Sequence, residues 1–225
     1  MDETSRRGNG RAWITAALLL VLVVFPAVQL VFVPRLPFLQ GLTEPGRGDW
    51  WALVLWTMAW EWSLLAFTVL ALRRRGRGLG SVGFPAVGRR EALWGGVTLA
   101  VAALFLLAAP PDARSGAGLV WYVPRAPAER AVWVLVALTA GVCEETLFRG
   151  LAITELRRRT GSVAAAVLVS TVAFALIHGA GQPAADLARR AAVGLLFAGL
   201  FLWRGDLRGP VFIHFLVDVA VLYLP

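Results

Sequence analysis

Long apolar runs alternate with short polar connectors along this chain, and within the runs the apolar residues do not keep to one helical face or alternate strand-wise. Seven runs stand out: Ala12 to Val33, Trp51 to Leu72, Ala92 to Ala109, Ala131 to about Ile153, Val163 to His178, Leu187 to Trp203, and Val211 to Leu224. Most are close to the roughly 17 to 25 residues that a helix needs to cross a hydrocarbon core about 30 Å thick. Pro34, Gly76, Pro110, Gly161, Pro183 and Pro210 punctuate the joins. The pattern predicts an all-α transmembrane bundle of about seven membrane helices. We divide it into three N-terminal helices with their connectors, residues 1–130, and a four-helix core, residues 131–225, within one integral membrane domain.

Composition agrees. Of 225 residues, 58% are hydrophobic and 16% charged, and the mean hydropathy is +0.69, far above that of an ordinary soluble domain. The stretch from Met1 to Arg11 followed by an apolar run superficially resembles a secretory signal. That run is too long for a signal core and has no convincing small-x-small cleavage site, so it is read as a retained first helix. Cys143 is the only cysteine, which excludes an intramolecular disulfide and a cysteine-based metal site.

The net charge of +8 does not point to nucleic acid, because the arginines sit in the connectors rather than on one helical face or in a tail. Every basic side chain is Arg. Fifteen lie in the connectors of one side (Arg6 to Arg11, Arg73 to Arg90, Arg149 to Arg159, Arg204 and Arg208) and seven on the other. The positive-inside rule then predicts a multi-pass protein of the cell membrane with a cytoplasmic N-terminus and an external C-terminus. Trp13, Trp50, Trp51, Trp94, Trp121, Trp133 and Trp203 fall near segment ends, where amphipathic rings anchor at the interface. Trp56 and Trp60, one turn apart, read as packing.

Ionisable side chains inside apolar runs are costly and therefore candidates for function. The fourth run contains EETLFRG, with Glu144, Glu145 and Arg149; the fifth ends in FALIHG, with Phe174 and His178; the seventh holds HFLVD, with His214 and Asp218. These are the only two histidines. A turn near Gly161 separates the fourth run from the fifth, with 17 residues back to Glu144 and 17 forward to His178. Two continuous antiparallel helices would bring those two residues to one level.

Glu145 and Arg149 are spaced i, i+4 in the favourable order for an ion pair. Glu144 projects about 100° around the helix, so it is free to face His178 and to take or give a proton. His214 and Asp218 also share a face, so the carboxylate can orient the imidazole. Together the groups read as water activation plus stabilisation of a developing oxyanion. Read structurally instead, Glu145 and Arg149 tie helices and the histidines are satisfied interior donors.

The three strings, in this order on successive segments, resemble the motifs of the CPBP family, the type II CAAX prenyl endopeptidases and bacteriocin-processing or self-immunity proteins. The resemblance covers about Ala131 to Leu224. It implies an intramembrane endopeptidase in which Glu144 and His178 activate water while His214 and the position of Asp218 hold the oxyanion. Glu145, Arg149 and Phe174 would support the site. Members of the family often have Asn where this chain has Asp218. An ionised Asp would repel an oxyanion, so it must carry a proton there or act by orienting His214.

No cofactor is favoured. A divalent metal such as zinc would take Glu144, His178 and His214, but the HExxH string that puts ligands on one helix is absent. The expected partners are a membrane-associated peptide or protein substrate and the lipid bilayer. One alternative is a non-catalytic immunity or scaffold protein of the same family. Another is an ion-coupled transporter, suggested by Glu61 between Trp60 and Trp62, although no internal repeat supports it. Glu61 reads better as paired with an Arg of another segment.

The depths conflict. His178 lies about 24 Å along its helix from the Arg-rich turn, whereas His214 lies only about 6 Å past Pro210. Either the hairpin protrudes or the last helix begins within the membrane.

Overall fold

The computed structural model describes residues 3–35, 50–84, 124, 126–179 and 183–220, together with positions 86, 88, 89, 92, 93, 96 and 100. Helix α1 starts as Glu3–Leu19 and continues through π-helical turns at Leu20–Val24 and Val28–Phe32 to residue 35. Helix α2 is Trp50–Arg74, followed by a 3-10 turn at Leu79–Val82. Helix α3 runs over Pro127–Thr160, with a π-helical stretch at Glu145–Ile153. Helices α4 (Val163–Leu176), α5 (Ala184–Arg204) and α6 (Arg208–Ala220) complete the described chain.

Among the described residues there is no strand. Three helical runs are long and apolar enough to cross a membrane: Gly10–Phe32, Trp50–Arg74 and Pro127–Thr160. Helix α4 is a shorter apolar one. The protein is thus helical and of integral-membrane type. The third predicted run, Ala92 to Ala109, falls mostly outside the described residues, as does the end of the seventh.

Local chemistry sets the helix ends. Pro127 opens α3, where its missing N–H costs nothing, and the Ala126 N–H donates to Glu129 Oε2 at 3.0 Å. Gly161, at φ 70°, closes α3 in the left-handed conformation that glycine adopts without strain. Ser162 then caps α4, its hydroxyl accepting from the Ala165 N–H at 3.1 Å. Helix α4 ends at Leu176, two residues short of the predicted end, so His178 sits in the following turn. Its N–H donates to Ala175 O at 3.2 Å.

Helix α3 packs against α2, α4 and α6, while α1 packs on α2 and α5 on α4. Ile14, Leu18, Val21 and Phe25 of α1 meet Leu64 and Leu72 of α2, Leu147, Phe148 and Leu151 of α3, and Phe174 of α4. Leu55, Leu168, Leu196 and Trp203 point outward, between 62% and 80% exposed. A helical bundle with apolar side chains on both its inside and its outside is one whose solvent is lipid, and there close packing rather than water exclusion holds helices together.

Glycine permits the closest approach. A Cβ on Gly150 would lie 2.7 Å from Val82 O and 3.2 Å from Leu207 Cδ1. The start of α6 is thereby level with Gly150, eleven residues, or about 16 Å, short of the turn at Gly161. The hairpin therefore extends past the start of the last helix. That accounts for the unequal distances of His178 and His214 from their polar ends.

Candidate active site

Glu144 ends the regular α-helical part of α3, and Glu145 opens the π-helical stretch. The Thr146 hydroxyl donates back to Val142 O at 2.7 Å where the register changes. Single π-helical insertions are uncommon and recur at functional sites. Here the wider turn leaves all nine residues of Glu145–Ile153 buried, and both neighbouring glutamates face the bundle interior, Glu144 at 4% exposure and Glu145 at 0%.

His178 and His214 converge on Glu144 from opposite sides. His178 Nε2 lies 3.9 Å from Glu144 Oε1, and His214 Nε2 lies 3.9 Å from Glu144 Oε2. Each ring is fixed through its other nitrogen. His178 Nδ1 lies 3.0 Å from Phe174 O, and His214 Nδ1 lies 2.8 Å from Glu145 Oε1. A carbonyl and a carboxylate are acceptors, so both rings present Nδ1–H to them and aim Nε2 at Glu144. Asp218 Oδ2 stands 3.6 Å from His214 Nε2.

Glu145 Oε1 also accepts from Arg149 Nη1 at 2.9 Å, the i, i+4 pair expected from spacing, so one carboxylate ties α3 to itself and to α6. The Arg149 guanidinium lies over the Phe174 ring, 4.0 Å from its centroid, and over Phe197 at 5.3 Å. Its Nη2 points at Gly194 O, 3.4 Å away. A Cβ on Gly194 would stand 3.2 Å from Phe174 Cδ1 and 3.5 Å from Arg149 Nη2, so α5 reaches this depth because residue 194 has no side chain. Phe197 stacks on the His214 ring with centroids 5.2 Å apart. A cavity of about 210 Å³ opens here, lined by Phe174, His178, Arg190, Phe197, His214 and Asp218.

The structure brings Glu144, Glu145, Arg149, Phe174, His178, His214 and Asp218 to one place. It also adds residues that the motifs leave out. Glu61 of α2, 3% exposed, is a close carboxyl neighbour of Glu144. Among the described residues no Arg is paired with Glu61; its neighbour is the site glutamate itself. Trp133 donates from Nε1 to Asp218 O at 3.0 Å and Trp62 to Thr139 Oγ1 at 3.1 Å, joining α3 to α6 and α2 to α3. Trp56 and Trp60 stack on each other, with ring centroids 6.0 Å apart. A carboxylate in mid-segment was the visible signal for Glu61. Phe197 and Gly194 carried none.

Glu144, His178 and His214 are the three groups that a zinc ion would take. Among the described residues no three His, Cys, Asp or Glu side chains are disposed to hold a metal ion.

A helical integral membrane protein with a buried glutamate between two oriented histidines is the class that fold and site define. Within it, residues 126–220 match the family of type II CAAX prenyl endopeptidase Rce1-like proteins. This part of the chain carries the pattern of that CAAX protease-like membrane family, in agreement with the resemblance of the three strings. No curated protein and no solved structure matches the chain.

Proposed function

We propose that this protein is an intramembrane endopeptidase that hydrolyses a peptide bond at or within the membrane with water activated by Glu144. The observation that carries this reading is the placement of one buried carboxylate 3.9 Å from the Nε2 of each of two histidines. These separations are longer than direct hydrogen bonds and are ones a single water oxygen spans. Glu144 takes a proton from that water as its oxygen attacks the substrate carbonyl. It then returns the proton to the leaving amine as the C–N bond breaks. His178 holds the water from the other side.

His214 faces the carbonyl oxygen. For Nε2 to donate to the developing oxyanion, the ring must carry both protons, with Nδ1–H accepted by Glu145. Asp218 Oδ2 lies 3.6 Å from that same Nε2, so Asp218 orients the ring and carries a proton while the oxyanion is present. Glu145, Arg149 and Phe174 hold the ring geometry.

The substrate is a membrane-associated peptide or protein that enters by the cavity beside His178. The protein crosses the membrane about seven times, with residues 131–225 as the catalytic core, a cytoplasmic N-terminus and an external C-terminus. The excess of arginine on one set of connectors supports this orientation.

The test is cleavage of a panel of candidate peptides by the purified protein in detergent. Glu144→Gln and His178→Ala are expected to lower the rate on the order of 10² to 10⁴-fold at unchanged membrane abundance. Wild-type rates in both variants overturn the chemistry. Asp218, where relatives often have Asn, gives a second reading some support: a non-catalytic immunity or scaffold protein of the same family. In that case protection or binding survives Glu144→Gln.

A further inference from the structure

A second cavity stands apart from the one at His178. It lies where α1 begins and α2 and α3 end, holds about 720 Å³, and is lined by Arg11, Arg75, Arg77, Arg158 and Arg159. The catalytic reading makes no use of these five side chains.

Their positions are not scattered. Arg11 stands at the start of the apolar run Gly10–Phe32, Arg75 just past the end of Trp50–Arg74, and Arg158 and Arg159 at the end of Pro127–Thr160. The three runs that can cross a membrane thus have one end each around this cavity. The helices are held close enough to enclose it: a Cβ on Gly10 would lie 3.1 Å from Arg74 O and 3.2 Å from Arg75 Cγ. Trp13 sits below, packed on Phe67 and covered by the Arg74 guanidinium 5.5 Å from its ring centroid, as an interfacial tryptophan does.

The charge is unbalanced. One carboxylate lines the cavity, Glu155, which is 2% exposed. It is already paired with Arg77 at 2.5 Å and Arg158 at 2.9 Å. Arg159 donates to the Thr15 hydroxyl at 3.0 Å. Among the described residues, Arg11, Arg75 and Arg159 have no carboxylate partner. Three exposed guanidinium groups that line one cavity without a counter-charge are free to receive an anion, and the planar fork of Arg suits a phosphate group.

We propose that this cavity binds a phosphate-bearing anion, with Arg11, Arg75 and Arg159 as its main donors and Glu155 holding Arg77 and Arg158 in place. A phosphate could come from an anionic lipid headgroup or from free solution. Position at the ends of the membrane-crossing helices favours the lipid, since basic pockets between such helices collect anionic headgroups.

The experiment uses the full-length protein in a neutral detergent. Binding of short-chain phosphatidylglycerol and of inorganic phosphate is each measured by thermal shift and native mass spectrometry, with chloride at matched ionic strength as the control. Saturable binding of phosphatidylglycerol is expected, weakened about tenfold or more in the Arg11→Gln/Arg75→Gln double variant. Arg73→Gln/Arg157→Gln removes as much charge at the same end without touching the cavity, and should bind as wild type. Arg11→Lys/Arg75→Lys, which keeps the charge, should recover part of the affinity. Saturable binding of inorganic phosphate with the same variant dependence supports the site with solution phosphate as its source. Binding of neither probe, or equal loss in the two glutamine pairs, overturns it.

Discussion

Glu145 Oε1 lies 2.8 Å from His214 Nδ1, joining the first motif to the last across 69 residues of sequence. The same oxygen holds Arg149 at 2.9 Å. Glu145 is thus the hinge pin of the site: it neutralises a buried guanidinium and fixes the tautomer and angle of the imidazole that faces Glu144.

Removing that carboxylate strands a buried charge. Glu145→Ala leaves Arg149, 1% exposed, without its partner and is expected to destabilise the fold by about 3 to 5 kcal/mol. Glu145→Gln/Arg149→Met, which removes both charges, should unfold closer to wild type than Glu145→Ala does. Thermal unfolding in detergent reads both; a double variant as unstable as the single one would show that the pair is not a closed unit.

Asp218 is argued to orient His214. Asp218→Asn keeps an acceptor oxygen of the same size and is expected to cleave peptide within about threefold of wild type, whereas Asp218→Ala should lose on the order of 10²-fold. Equal rates in the two variants would leave the side chain without a role.

Two glycines give opposite expectations. Gly150→Ala places a Cβ 2.7 Å from the Val82 carbonyl, a backbone atom that cannot step aside, and should cost about 1 to 3 kcal/mol. Gly199→Ala meets nothing within 4 Å and should leave stability equal or raise it by up to about 1 kcal/mol through helix propensity. The melting temperatures of the two variants check this directly.

Outside the membrane-crossing segments, Asp206 accepts from the Arg208 backbone N–H at 3.0 Å and from its guanidinium at 2.8 Å. The Arg208 side chain, followed by its backbone N–H, holds the Asp206 carboxyl below its ordinary value of 3.8. A lowered folded-state value stabilises above the unfolded value, and the gain is lost as pH falls through the folded one. Asp206→Asn should therefore melt slightly below wild type at pH 7, and the gap should begin to narrow as pH falls below about 4. A gap that does not narrow at all as pH falls from 7 to the acid limit of the fold would show that charge is not its cause.

The helical character, the membrane solvent and the residues that gather in the candidate site were legible in the sequence because each rests on short-range physics. Run length against bilayer thickness marks the spans, and i, i+4 spacing marks Glu145 with Arg149 and His214 with Asp218. Equal counts from Gly161 put Glu144 beside His178, even though α4 stops at Leu176 and α3 leaves the regular register at Glu145. The two departures do not prevent their meeting, at 3.9 Å.

What only the tertiary structure decided is which helix faces which. Glu61 looked like the partner of a distant arginine and instead stands against Glu144, because contact across helices depends on rotation and crossing angle, which a single helix does not encode. Phe197 and Gly194 enter the site for the same reason: α5 is shallow enough at Gly194 to approach Arg149. The sequence by itself named the groups that cannot be left alone in lipid. Packing chose their partners, since each such group must be satisfied by whichever neighbour the bundle brings within reach.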